Sequence, residues 1–209
     1  MIKIENTEVF GWETAIRGMR NPMNSWEMSD TEYCDDWGVF RVPNIGENDL
    51  KLMQNLAKAG NDHAKYLRMI NVTCDITAPL YWWKEFDTYK VGTVSNGCST
   101  MHKIHAKEFT LDDFSHEHLV DENISLLEDV IRRLNTCRRL FVEDKHKREW
   151  WQMIQLLPSS YNQKRTIQMN YQVLRAMDSR EFHKLDEWRE FVKWRNQLPY
   201  YKEIFQIEG

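Results

Sequence analysis

An alternating segment that runs directly into a helix start limits the folds open to this chain more than any other feature. Across Tyr66–Thr77, residues of one parity are apolar and β-branched residues are frequent, which is typical of a strand with one buried face. The apolar residues that share this parity are Tyr66, Ile70, Val72, Cys74 and Ile76. Thr77 can then cap a helix and Pro79 suits a first helical turn, so we expect a helix over the aromatic run 80–86.

Chain breakers are scarce in the rest of the sequence, since glycine and proline supply only 8 and 5 of 209 residues, roughly half their usual share. Long elements are therefore expected. We predict another strand at Ile2–Phe10, an irregular stretch at Asn24–Asn48 and a polar loop at Thr93–Thr100. The predicted helices are Trp12–Arg20, Asp49–Lys58, Glu122–Val142, Lys147–Leu157, Gln163–Met177 and Phe182–Trp194. Together they predict an α+β fold, a small mixed or antiparallel sheet packed against a helical bundle, in one domain over residues 1–209.

Charge and cysteine content narrow the class of protein. Lys plus Arg is 28 and Asp plus Glu is 32, so the formal net charge is −4, which argues against a dedicated duplex-binding protein but not against a small anionic ligand. The four cysteines are widely spaced, as in reduced intracellular proteins: Cys34, Cys74, Cys98 and Cys137. No apolar signal core or membrane-length apolar run is present. We expect a cytoplasmic protein with no membrane partner and no direct nucleic-acid partner.

The stretch 78–103 combines a helix start, adjacent tryptophans and a loop rich in hydroxyls and amides. One interpretation is a core helix followed by a polar loop, because aromatic stripes are usually core. The other is a nucleotide or cofactor site, in which flat aromatics stack on a ring and the loop binds phosphate. The residues by themselves leave both open.

This stretch resembles the signature region of the flavin-dependent thymidylate synthases. Ala78-Pro79 matches the family's helix start and Glu85 stands at its glutamine position. Thr88-Tyr89-Lys90 stands where Arg-His-Arg is expected, and Thr93–Ser99 matches the family's serine loop with one residue inserted. The downstream match consists of Leu157-Pro158, Asn170, Arg180 and Leu198-Pro199. The chain departs from the family at three places. Of the triplet, only Lys90 keeps a positive charge, and near Ile154 an uncharged residue stands where an arginine is expected. The family's flavin-binding histidine has only His63 as a counterpart, and His63 is shifted in register.

The resemblance implies an enzyme that binds FAD and deoxyuridine monophosphate and uses a folate as carbon donor and a reduced nicotinamide as electron source. Arg180 would hold the pyrimidine base and Ser99 would lie beside it, as the catalytic pair. Lys90 would meet phosphate. The remaining implied contacts are Ser95 and Asn96 with the nucleotide, and Glu85, Tyr89, His63 and Asn170 with the flavin. A homotetramer with shared sites is implied as well. The alternative function is a nucleotide-binding protein on the same scaffold that sequesters, senses or modifies another nucleotide; such a small acidic variant is compatible with a phage genome.

Other clusters carry less weight. His102 and His105, with His116 and His118, reproduce no metal-ligand spacing, so we expect no metal site. The basic run on the predicted helix 122–142 pairs with acidic residues as a solvated face.

We expect Cys98 to be small and buried. Adjacent tryptophans cannot all share one helix face, which predicts that some lie at subunit contacts: Trp82, Trp83, Trp150 and Trp151. Arg180 is expected to serve ligand binding rather than folding.

Overall fold

A computed structural model describes residues 1–33 and 42–207. Its strands are β1 (Lys3–Phe10), β2 (Asn71–Pro79), β3 (Val94–Gly97) and β4 (Asn162–Asn170). Its helices are α1 (Trp12–Arg20), α2 (Glu47–Lys58), α3 (Leu80–Phe86), α4 (Thr100–Lys103), α5 (Asp121–Asp144), α6 (Lys147–Leu156), α7 (Tyr171–Arg175), α8 (Asp186–Arg195) and α9 (Tyr201–Phe205). The predicted α+β class is confirmed.

The four strands form one sheet in the order β1-β2-β4-β3. Leu80 N donates to Tyr161 O at one end of the β2–β4 pair and Tyr171 N donates to Ile70 O at the other, so the two strands run antiparallel. Cys98 N donates to Lys164 O where β3 meets β4. The antiparallel option of the predicted sheet is the one the chain adopts.

The buried face predicted for the alternating segment Tyr66–Thr77 is confirmed, although strand β2 begins and ends at later residues. Ile70, Val72, Cys74 and Ile76 are all at most 1% exposed. Tyr66 is buried too, but it lies in a 3-10 turn, Lys65–Arg68, where its hydroxyl donates to Met53 O at 2.8 Å. The predicted Thr77 cap is wrong: the strand continues through Pro79, whose extended backbone (ψ 152°) occupies the N-cap position of α3.

The predicted helix Gln163–Met177 is wrong, because most of this segment is strand β4. Ile167 and Met169, two residues apart, are fully buried, and their period of two belongs to a strand. Asn170 then starts the short helix α7, its side-chain oxygen accepting from Val173 N at 3.0 Å. Further on, the predicted helix Phe182–Trp194 is divided into a 3-10 turn, Asp178–Phe182, and α8.

Two more expectations change. The predicted loop Thr93–Thr100 contains β3 and leads into α4. The irregular stretch Asn24–Asn48 holds a 3-10 turn at Trp26–Met28 and the first residues of α2, while residues 34–41, including Cys34, lie outside the described part of the chain. No helix in the described ranges is both long enough and apolar enough to cross a membrane.

The chain divides into two compact units, and each of the four strands contributes residues to both. The first unit comprises residues 1–3, 76–88 and 96–165. Its core lies around the α5–α6 hairpin and contains Ile104, Phe109, Phe114, Leu127, Ile131, Leu134, Cys137 and Met153. The second unit comprises residues 4–75, 89–95 and 166–209. A single domain over the whole chain stays a prediction.

Candidate functional site

In the second unit, Arg180 and Tyr89, 91 positions apart in the sequence, form a hydrogen-bonded pair. Arg180 Nε donates to the Tyr89 hydroxyl oxygen at 2.9 Å. The guanidinium carbon lies 4.6 Å from the centre of the Trp188 ring and 5.5 Å from that of Tyr89. Trp188 is fully buried, whereas Arg180 and Tyr89 are each partly exposed. The guanidinium is therefore a cation fixed on an aromatic wall at the protein surface.

The loop that follows Tyr89 supplies further polar groups in the same unit. Lys90 is exposed. Gly92 has a positive φ of 79°, and a Cβ there would come within 3.2 Å of Asn170 Nδ2, so the loop is closely packed against the start of α7. The Thr93 hydroxyl oxygen is buried and finds no hydrogen-bond partner among the described residues. An orphaned hydroxyl in a loop that also carries an exposed lysine is a place where a polar ligand can complete the bonding.

Two other predicted residues of this unit have less defined surroundings. His63 is exposed on the turn after Gly60. Asn61 in that turn accepts a hydrogen bond from Gln172 Nε2 at 2.9 Å, which links the turn to α7. Ser95 is exposed on β3. The structure thus brings together Arg180 with Tyr89, and Asn170 with the loop after Lys90.

In the first unit, Ser99 lines a cavity of about 370 Å³. Its side-chain oxygen accepts from His102 N at 3.1 Å and so caps α4. Cys98, in the same lining, is exposed, so the expectation of a buried thiol is wrong. The contacts at this position are made by the backbone, since Cys98 N donates to Lys164 O at 3.0 Å and Cys98 O accepts from Gln163 Nε2 at 2.6 Å, and the residue itself stays exposed.

Three lysines of this cavity were missed by the sequence analysis: Lys103, Lys107 and Lys164. Asp113 pairs with Lys107 and also lines the cavity. Burial raises the pKa of the Tyr161 hydroxyl, and the charges of Asp113 and Cys98 raise it further, so this phenol stays protonated and can donate a hydrogen bond. The spacing of four residues between Lys103 and Lys107 could have indicated that these two lysines lie close together, but it matches no known binding motif.

The remaining predicted residues of this unit are dispersed. Glu85 is partly exposed at the end of α3, where its backbone carbonyl accepts from the Thr88 hydroxyl at 2.7 Å. Asn96 is exposed on β3. Trp82 and Trp83 are both at most 1% exposed, whereas Trp151 is 41% exposed. The core interpretation therefore holds for Trp82 and Trp83, and the expectation that some of the four tryptophans lie at subunit contacts stays a prediction. One helix buries both because Trp82 stacks on Phe86 while Trp83 donates to Gln163 O.

The histidines behave as ordinary side chains. His116 Nδ1 lies 2.8 Å from Phe114 O. Burial, together with nearby Lys145, Lys103 and Arg138, lowers the pKa of His105. Within residues 1–33 and 42–207, no group of three or more His, Cys, Asp or Glu side chains is arranged to hold a metal ion.

Comparison with known proteins supports the fold. No family model and no curated protein matches the sequence. A crystal structure of the flavin-dependent thymidylate synthase ThyX from Helicobacter pylori, complexed with FAD and dUMP, matches with 15% identity over 97% of each chain and a TM-score of 0.69. A second ThyX structure from that organism, with FAD and dUMP, matches with 15% identity over 98% of this chain and 97% of that chain, at a TM-score of 0.68. The fold implied by the signature region is therefore confirmed.

Proposed function

We propose that this chain binds deoxyuridine monophosphate and FAD and acts as a flavin-dependent thymidylate synthase, converting dUMP to dTMP with NADPH and methylenetetrahydrofolate. The proposal is supported by the fold shared with structures complexed with FAD and dUMP. The single observation that carries it to this chain's own residues is Arg180, a surface guanidinium held on Trp188 and hydrogen-bonded to Tyr89.

Arg180 is proposed to hold the pyrimidine base through a carbonyl oxygen. Its Nε–H is used by Tyr89, which sets the plane of the guanidinium and the direction of its Nη atoms. The Tyr89 hydroxyl accepts that bond and keeps its own hydrogen for donation to a ligand. A charged hydrogen bond from a fixed donor costs little ordering on binding, so it favours specificity. Ser99 is proposed to lie beside the pyrimidine, with Ser95 and Asn96 as further contacts to the nucleotide.

The groups after Tyr89 fit a flavin nucleotide. The buried, orphaned Thr93 hydroxyl offers a donor for a phosphate or ribityl oxygen, and the exposed Lys90 offers a charge for the diphosphate. Tyr89, Asn170, Glu85 and His63 are the other proposed contacts. FAD, when bound, supplies the hydride chemistry that reduces a methylene group to a methyl. The chain's own residues bind and orient: Lys90 neutralises phosphate charge, and Arg180 fixes the base.

A second function is favoured by a specific observation at the triplet 88–90. The Thr88 hydroxyl donates to Glu85 O at 2.7 Å, and the Tyr89 oxygen accepts from Arg180. Each hydroxyl thus makes a hydrogen bond within the chain at a position where the resemblance implies a phosphate-binding arginine, and the one hydrogen that Tyr89 keeps for a ligand does not reproduce a guanidinium fork. On this evidence the alternative is a nucleotide-binding protein without flavin chemistry, which sequesters, senses or modifies a nucleotide.

The two functions are separated by flavin uptake and turnover. The purified protein is incubated with FAD, and the bound fraction is measured by its visible absorbance after gel filtration. Anaerobic NADPH oxidation and dTMP formation are then followed with dUMP and methylenetetrahydrofolate. Flavin retention with dTMP formation supports the synthase, whereas dUMP binding by calorimetry without flavin uptake supports the second function. Failure to bind FAD, dUMP or any other nucleotide tested by calorimetry contradicts both.

We also propose that the chain self-associates, with a homotetramer as the expected form, in the cytoplasm. Large apolar side chains are exposed in the second unit two residues after Tyr89 and Arg180, namely Val91 (92%) and Phe182 (87%), and self-association would remove them from water. The three described cysteines are free thiols, as expected inside a cell. Light scattering that gave the 25.3 kDa mass of one chain at micromolar concentration would contradict self-association.

A further inference from the structure

Arg195, on α8, is a buried cation that ties three parts of the second unit together. Its side chain is only 2% exposed. Nη1 donates to Asp178 Oδ1 at 2.7 Å and to Leu174 O at 3.2 Å. Nε and Nη2 both donate to Asn196 Oδ1, at 3.2 and 3.0 Å. The guanidinium also lies 4.9 Å from the centre of the Tyr201 ring.

Burying a guanidinium costs free energy unless its N–H donors make hydrogen bonds. The acceptors of Arg195 therefore have to stay where they are for the fold to keep this stabilisation. Leu174 is in the last turn of α7, and Asp178 begins the 3-10 turn Asp178–Phe182. Arg195 therefore joins the end of α7 to the start of that turn. Because the cation is rigid and enclosed, both ends of this connection are held in one geometry.

The same turn carries Arg180, two residues after Asp178. Arg180 N donates to Met177 O at 3.0 Å, so its backbone is set by the residue that precedes Asp178. A displacement of Asp178 shifts this backbone and moves the guanidinium away from Tyr89 and Trp188.

We propose that Arg195 is a positioning residue: by holding Asp178 it fixes the turn that presents Arg180 to the nucleotide. The expected effect on nucleotide binding rests on the proposed function, whereas the positioning of Arg180 by Asp178 and Arg195 does not. Arg195 itself is enclosed at 2% exposure, so we expect it to act without contacting the nucleotide. Its contribution passes through Asp178 and the turn to Arg180.

The connection also predicts a pH dependence. Partial burial raises the pKa of Asp178, whose side chain is 54% exposed, while Arg195 and Arg175 oppose that rise and Glu181 adds to it; Tyr201 faces the same carboxyl. When pH falls through this raised pKa, Asp178 loses its charge and Arg195 loses its ionic partner. Nucleotide affinity is then expected to fall on the acid side, and Asp178→Asn is expected to remove that dependence.

A double-mutant cycle tests the proposal. Asp178→Asn and Arg195→Met are each made alone and together with Arg180→Ala, and dUMP affinity is measured by calorimetry. Alone, each is expected to weaken binding about tenfold, equivalent to ~1.4 kcal/mol. In the Arg180→Ala background neither is expected to add a further loss, because the residue they position is gone. Losses that add in full would overturn the proposal.

Two controls keep the outcomes separate. Glu190→Gln removes the acid of an exposed pair with Lys193 on the same helix and is expected to leave affinity unchanged. If the parent binds no dUMP, the proposed function is wrong, and the positioning is then tested without ligand by the NMR signal of the Arg180 Nε–H. That signal is expected to shift and broaden in Asp178→Asn; an unchanged signal would overturn the positioning role. Asp178→Asn also serves if Arg195→Met fails to fold.

Discussion

The guanidinium of Arg165 lies over the ring of Trp83, 4.2 Å from its centre. Arg165 Nη1 also donates to Asp87 Oδ1 at 2.7 Å and Nε to Gln163 Oε1 at 2.9 Å. Trp83 in turn donates to Gln163 O. The first residues of β4 are therefore held against α3 by the contacts of Arg165 with Trp83 and Asp87 and by the hydrogen bonds of Gln163.

Arg165→Ala is expected to lower the free energy of unfolding by about 1–2 kcal/mol. The cation–π contact contributes ~0.5–2 kcal/mol, and the ion pair adds little because Asp87 is half exposed and solvent screens the charge. Urea denaturation measures the change. Arg132→Ala, which breaks an exposed pair with Asp129, is the control and is expected to cost less than ~0.5 kcal/mol. Equal losses in the two variants would contradict this account.

Asp49→Asn is expected to cost ~3–5 kcal/mol, because it breaks a buried ion pair. Asp49 is fully buried and accepts from Arg20 Nε at 2.7 Å and from the hydroxyls of Ser29 and Thr31, both at 2.6 Å. Glu13→Gln, which removes an exposed helix pair with Arg17, is the matched control and is expected to change thermal stability very little.

The same carboxylate predicts an acid-dependent loss of stability. Burial alone would raise its pKa, but the hydrogen bonds from Ser29, Thr31 and Arg20 outweigh burial and hold the pKa below the ordinary value of 3.8. A depressed folded pKa contributes stability above pH 3.8 that is lost as pH falls through the folded pKa. The difference in unfolding free energy between parent and Asp49→Asn is therefore expected to shrink below about pH 4. A difference that stays constant down to pH 2 would show that the charge is not the cause.

Arg180→Ala is expected to weaken dUMP binding about tenfold or more. The structure also gives Arg180 an intrachain role, because it bonds Tyr89 and packs on Trp188, so we expect a loss of about 1 kcal/mol in stability as well. Tyr89→Phe removes only the hydroxyl and is expected to lower affinity less than Arg180→Ala. Arg17→Ala, an exposed arginine of α1, is the control for both measurements. Parent-like binding by Arg180→Ala would remove this residue from the site.

Ser99→Ala and Ser99→Asp separate capping from ligand contact. The Ser99 oxygen caps α4 by accepting from His102 N, and loss of such a cap costs about 0.5–2 kcal/mol of local helix stability. Asp retains the cap but adds a charge to the cavity. If Ser99 contacts the nucleotide, both variants lose affinity, and Asp loses more through repulsion of phosphate. If Ser99 only caps, Asp binds dUMP as the parent does.

Features that depend on neighbours along the chain were predictable. Helix α1 has the predicted bounds, Trp12–Arg20, and α5 and α6 differ from prediction by at most two residues at each end. The buried parity of β2 followed from alternation alone. These hold because hydrophobic periodicity is a local property that every residue of an element repeats.

Tertiary structure decided the remainder. Ile167 fits a helical spacing with Tyr171 and Leu174 as well as an alternating one with Met169, and backbone pairing with β2 and β3 decides that residues 163–170 are a strand. The sequence suggested Arg180 and Tyr89 as separate candidates, but their hydrogen bond joins residues 91 positions apart. Ser99 proved to be a cap and Cys98 an exposed thiol. Strand pairing and side-chain contacts of this kind depend on where distant segments meet, which no local pattern of residues encodes.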